Sequence, residues 1–122
     1  MRFRVADNSH AEFAENISNN RKKYGVKIGD LVLLTIKSSK YGKFKKKKEA
    51  MTKGLVIRIR KRINRKDGTK IKFTDNAVVL INNFKDIEPL GTKIKGSIGL
   101  EILQDYNKFS EIIKNTNIKQ FK

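Results

Sequence analysis

The chain has 122 residues, a length for one domain, and no cysteine, which excludes a disulfide framework, a thiolate metal site and a cysteine nucleophile. Hydrophobic residues make up 38% and aromatics 8%, enough for the core of a small barrel and too little for a large one. Lys and Arg number 29 against 12 Asp and Glu, a net charge of +17, where solubilising surfaces of small domains usually stay within about 2–8; the excess calls for a polyanionic partner, most commonly nucleic acid.

No apolar run approaches the roughly 18 residues that span a bilayer, so no membrane partner is expected. The start, Met1-Arg2-Phe3-Arg4-Val5, carries neither a signal-peptide core nor a long transit segment. The expectation is a protein made where it works, or one whose import segment has been removed. Lys, Ile, Asn and Phe are abundant while Ala, Pro and Arg are scarce, the residue usage of an AT-rich genome.

In chain order, Lys27-Ile28-Gly29-Asp30 reads as a turn opening into the strand-like run Leu31–Lys37. Ser38 to Lys48 is a polar, basic loop. Gly54 precedes Leu55-Val56-Ile57-Arg58-Ile59-Arg60-Lys61-Arg62-Ile63, where Ile57, Ile59 and Ile63 share one parity and Arg58, Arg60 and Arg62 the other. In a strand that parity puts isoleucines on one face and arginines on the opposite one. Arg65-Lys66-Asp67-Gly68 is a turn, and Thr69–Phe73 resumes the alternation. A two-residue Asp67-Gly68 turn would set Ile63 opposite Lys72, mixing apolar and basic on one face. A three-residue Lys66-Asp67-Gly68 loop sets Ile63 opposite Ile71 and keeps the faces apart, with Gly68 in the left-handed position of a G1 bulge. The expectation is a projecting two-stranded ribbon with a basic tip.

Asn76–Ile81 reads as a strand buried along most of its length. Gly91–Gly96 is expected as a short strand. In the tail the period changes. Ile98, Glu101 and Ile102 suggest one short helix; Phe109, Ile112 and Ile113, with Asn107 as N-cap, suggest another. The fold class expected is mostly β: a small closed five-stranded barrel with a projecting β-ribbon and short C-terminal helices. Residues 1–122 form a single domain in this reading, barrel and ribbon over about 1–97 and the helical part over about 98–122.

The basic cluster comprises Lys22, Lys23, Lys43, Lys45, Lys46, Lys47, Lys48, Arg58, Arg60, Arg62, Arg65, Lys66, Lys70 and Lys72. Arginine on a rigid strand suits bidentate phosphate contact, and lysine on a loop acts as a point charge. Tyr24, Tyr41 and Phe44 lie among these cations and either stack on bases or cap the barrel ends. The glycines match no phosphate-cradling motif. His10 is the sole histidine and has no triad or ligand partner at a recognisable spacing. Asp7, Asp30, Asp67 and Asp75 fall at turns and strand ends, which Asx turns explain. No catalytic residue, cofactor, metal or small-molecule substrate is expected.

At this point the chain resembles the universal large-subunit ribosomal protein of the L-fourteen family. The strongest block is Gly54-Leu55-Val56-Ile57, then Asp67-Gly68, Phe73, Asn76 and Val79-Leu80. Around it lie Val5-Ala6-Asp7-Asn8-Ser9, Lys22-Lys23-Tyr24-Gly25 with Gly29-Asp30, and Pro89-Leu90-Gly91-Thr92-Lys93-Ile94-Lys95-Gly96. The blocks keep the family's order over roughly residues 5–102. The resemblance implies binding to large-subunit ribosomal RNA near the subunit interface and a bridge to small-subunit RNA. It implies large-subunit proteins of families three and nineteen as neighbours. It also implies docking of the ribosome-silencing factor on the Gly-Thr-Arg strand and C-terminal helix. Protein or bridge contacts then fall to Thr92, Lys93, Lys95, Phe109, Ile112 and Ile113, although the last three pack equally well against the barrel.

The sequence departs from the family after Ser9, where His10-Ala11-Glu12 stands for Gly-Ala-Arg, and at Leu100-Glu101-Ile102-Leu103, where both arginines of Arg-Glu-Leu-Arg are gone. With the AT-rich usage, such drift points to a mitochondrial ribosome, with a plastid or a bacterial cytoplasm as alternatives. The competing function is a free-standing barrel for single-stranded nucleic acid, of oligonucleotide-binding or cold-shock type, which requires exposed aromatics on one sheet face.

Overall fold

The computed structural model describes residues 2–7, 11–16, 26–39, 51–82, 87–89, 91, 93–104 and 109–122. Its strands are β1 (Arg2–Val5), β2 (Ala11–Asn16), β3 (Leu31–Ser39), β4 (Met51–Arg58), β5 (Ile63–Asn64), β6 (Lys70–Ile71) and β7 (Ala77–Ile81). Strands β1-β2-β3-β4-β7 close into a barrel in that order, and β5 and β6 form a separate two-stranded ribbon. Strand directions cannot alternate all the way round a closed ring of five, so one junction must be parallel. Here it is β1 with β7, registered Arg4 to Ala77 and Val5 to Val78. Every other barrel pair is antiparallel. The expected mostly-β five-stranded barrel is the fold observed.

Alternation explains the simplest strand. In Arg2-Phe3-Arg4-Val5 the arginines are exposed, and Phe3 and Val5 are buried. In β7 all five residues are buried, as the continuous apolar run predicts for a strand paired on both edges and covered on both faces. Gly54 sits where β4 passes β3 closely; a Cβ there would lie 2.6 Å from Leu34 Cδ1. Asp7, buried just past β1, accepts the Leu80 amide of β7 at 3.1 Å.

Two irregularities break alternation. Around Phe13 the β2–β3 register slips and returns, with Ala11 opposite Ser39, Phe13 opposite Ser38 and Ala14 opposite Ile36. On β4, Val56 faces Val78 but Arg58 faces Ala77, so Ile57 is an extra residue. Its carbonyl leaves the ladder and accepts the Gly99 amide at 3.0 Å, which ties the C-terminal part to the barrel. Gly54 to Ile59 are buried in succession, on both sides of the bulge, so parity does not report here which side chains face out.

The ribbon has the predicted register. Ile63 opposes Ile71 and Asn64 opposes Lys70; Arg65 and Thr69 close a three-residue loop through Arg65 N–H to Thr69 O, 2.8 Å, with Gly68 at φ +89°. It is shorter than predicted, however, because residues 60–61 bend rather than extend β4. The predicted Gly91–Gly96 strand is also corrected: its described residues make a single bridge, Ile94 to Asp7, plus the Lys95 amide to Ala6 O at 2.8 Å.

Two helices follow, α1 (Leu100–Gln104) and α2 (Ser110–Lys114), then a 3-10 turn at Ile118–Gln120. Helix α2 begins with Phe109 at the N-cap and has no side-chain capping bond; Asn107, the predicted cap, lies outside the described residues. Ile98, Ile102, Phe109 and Ile112 join the barrel residues in one apolar cluster. The end of the chain is pinned by Lys122 N–H to Ile98 O at 2.8 Å and by Gln120 Nε2 to Ile94 O at 2.7 Å.

Candidate nucleic-acid interface

Residues 60–72 hold seven cations (Arg60, Lys61, Arg62, Arg65, Lys66, Lys70 and Lys72) and one carboxylate, Asp67, a net of +6 in thirteen residues. All but Arg65 are exposed, and none of the exposed six forms an ion pair among the described residues. The single carboxylate is already engaged. Asp67 Oδ1 accepts the Thr69 hydroxyl at 2.6 Å and the Thr69 amide at 3.0 Å. These bonds hold the Asp67 carboxyl below the usual carboxylate range, the hydroxyl contributing most, with the Arg65 charge assisting. The tip is thus a hairpin whose acid is bonded to the hydroxyl and amide of Thr69 and whose cations, Arg65 apart, face solvent. Arg60 is anchored at its backbone, donating to Asn76 Oδ1 at 2.8 Å, which leaves its guanidinium free to reach outward.

Two arginines expected on this face are used inside the protein. Arg58 is buried, its Nε 2.8 Å from Asp75 Oδ1 and its Nη1 2.9 Å from the Ser97 carbonyl and 3.1 Å from that of Lys95. Its parity suggested exposure, but the β4 bulge turns it inward onto a carboxylate and two carbonyls. Arg65 leans back to α1, with Nε 2.8 Å from Glu101 Oε1. Of the ribbon cations, Lys61 was missed by the sequence reading because it shares parity with the isoleucines; the bend at 60–61 exposes it.

The remaining expected sites divide. Lys22, Lys23, Lys43, Lys45, Lys46, Lys47, Lys48 and Thr92 lie outside the described residues, as do Tyr24, Tyr41 and Phe44. Lys93 and Lys95 are exposed. Phe109 and Ile112, expected at a protein or bridge contact, are fully inside the chain's own core, and Ile113 alone of the three stays partly exposed.

The barrel wall carries a second cationic feature that sequence reasoning passed over. The Arg2 guanidinium lies 4.6 Å from the Phe13 ring centroid and that of Arg4 5.9 Å. The alternating Arg2-Phe3-Arg4-Val5 was its visible signal. Phe3, Phe73 and Phe109 are buried, so among the described residues no sheet face presents the row of exposed aromatics that a single-strand-binding barrel needs. No group of His, Asp and Glu suited to a metal occurs among the described residues.

The geometry is that of a basic ribbon on a closed barrel. The family model for ribosomal protein L14p/L23e matches residues 1–118, nearly the whole chain. The chain belongs to the L14p/L23e family of ribosomal proteins and is a structural component of the large ribosomal subunit.

Proposed function

We propose that the chain holds large-subunit ribosomal RNA through the ribbon, with Arg60, Lys61, Arg62, Lys66, Lys70 and Lys72 on phosphates. The observation that carries this is the combination of six exposed, unpaired cations with one carboxylate that its own turn consumes. Arg58 and Arg65 act from behind, bracing the base and tip of the ribbon rather than touching RNA.

The finer placement follows from the ordered sequence blocks. The protein sits near the subunit interface, bridges to small-subunit RNA, and neighbours large-subunit proteins of families three and nineteen. Lys93, Lys95 and Ile113 are the described residues open to those contacts and to the ribosome-silencing factor; Phe109 and Ile112 support them from within. The AT-rich residue usage and the drift after Ser9 and Gly99 support a mitochondrial ribosome.

The test changes Arg60, Arg62, Lys66, Lys70 and Lys72 together to Ser. All five are exposed, so the fold should persist. Each phosphate that the ribbon no longer neutralises should flatten the dependence of log K on log salt by about 0.7–0.9. An unchanged slope with ribosomal RNA, or failure of the endogenous protein to sediment with large subunits at moderate salt, defeats the reading.

A further inference from the structure

Between the ribbon and α1 runs a groove of about 640 Å³, within the size range of pockets that enclose a small ligand. Its floor is apolar and buried, formed by Val26, Ile28 and Ile59. Its rim is net cationic, with Lys61, Arg62 and Lys66 beside a single exposed carboxylate, Asp67, on the ribbon side. Two exposed side-chain amides stand on it, Asn64 from the ribbon and Gln104 from α1. The Arg65–Glu101 ion pair joins these two elements and sets the spacing between them. That pair is single-point: Arg65 Nη2 and Glu101 Oε2 are buried without a partner among the described residues.

We propose that this groove takes one unstacked nucleotide of the bound RNA, base inward and phosphate on the rim. The inference rests on the RNA-binding reading of the ribbon and adds a site for a base to it. A nucleobase has a flat apolar face for the floor and a polar edge for the amides. Each amide offers both a donor and an acceptor, which suits an edge carrying both. Arg62 can lay its guanidinium plane against the base or hold the adjoining phosphate. An acidic peptide would satisfy the rim but would place its charges over an apolar floor. A fully paired helix keeps its bases stacked and would leave the groove empty. The ribbon therefore reads backbone, and the groove selects RNA with an extruded nucleotide.

The experiment uses the full chain and two RNA hairpins, one fully paired and one carrying a single bulged 2-aminopurine. The bulged hairpin should bind more tightly, and the fluorescence of its 2-aminopurine should change on binding. Replacing Asn64 and Gln104 together, N64A with Q104A, removes exposed groups and leaves the rim cations in place. That variant should lose about tenfold in affinity for the bulged hairpin, stay within about twofold for the paired one, and keep its salt slope. Equal wild-type affinity for both hairpins overturns the groove site, as does an equal drop in affinity for both in the variant. Selective displacement of the bulged hairpin by a Glu-rich peptide would assign the groove to a protein and overturn it too. Salt-insensitive binding of both hairpins would instead defeat the ribbon reading, a different and recognisable failure.

Discussion

The end of β4 and the ribbon carry the same alternation of arginine and isoleucine, yet they put their arginines to opposite uses. Arg58 is buried against Asp75 and two carbonyls, whereas Arg62 stands in solvent. Residue type and parity are shared; what differs is the bulge at Ile57 and the presence of a carboxylate within reach. Burying a guanidinium is costly unless a carboxylate and carbonyls meet its donors, as they meet those of Arg58. One arginine therefore builds the platform, and the other is left exposed, the position that the proposed phosphate contact needs.

The sharpest way to break that contrast is Asp75→Ala. It leaves Arg58 buried with half of its hydrogen bonds gone, a change expected to cost about 3 kcal/mol of folding stability. Arg62→Ala, with nothing to strand, should stay within about 0.5 kcal/mol. Urea denaturation of the two variants measures both; an Asp75→Ala cost under about 1 kcal/mol would mean that the two arginines are not distinct in kind.

Two glycines differ in how near they lie to Arg58. Gly96 and Gly68 have φ of +81° and +89°, a conformation unfavourable for side chains. A Cβ on Gly96 would run into the Arg58 guanidinium, whereas one on Gly68 would meet open space. Gly68→Ala should cost about 1–2 kcal/mol for backbone strain alone. Gly96→Ala should cost that and more, because the Arg58–Asp75 pair must shift. Equal costs would show that Arg58 yields freely and that the platform is softer than its hydrogen bonds suggest.

This contrast also marks where the sequence was legible. The ribbon register could be deduced because only one loop length keeps Ile63 opposite Ile71, and a glycine stood where a positive φ was needed. The buried β7 was legible as an unbroken apolar run, and the Phe109, Ile112, Ile113 spacing announced a helix. Arg58 was not legible, because a bulge inserts one residue without any mark in the composition, and its partner Asp75 lies 17 residues away. Arg65 was misjudged for the same reason, since Glu101 is 36 residues distant. The apparent strand at Gly91–Gly96 failed because two glycines frame a segment whose hydrogen bonds go to Ala6, Arg58 and Gln120 rather than to a ladder. Local pattern predicts elements; long-range carboxylates decide which cations remain exposed.

The smallest expected effect concerns the one acid on the prong. Asp67 is held below the ordinary carboxylate pKa chiefly by the Thr69 hydroxyl and then by the Thr69 amide. A carboxyl whose folded pKa is depressed stabilises the fold above its unfolded value and loses that contribution as pH falls through the folded one. The turn should therefore keep its bonds through neutral and mildly acidic conditions and loosen only below the ordinary aspartate range. Following the Thr69 amide shift by NMR as pH is lowered should give a midpoint below that range. Thr69→Val removes the larger cause while keeping the amide, so its midpoint should move upward. If the midpoint stays put, the hydroxyl is not what holds the acid. If it moves, the Thr69 hydroxyl is what keeps the one carboxylate of the ribbon tip ionised and bonded within its own turn.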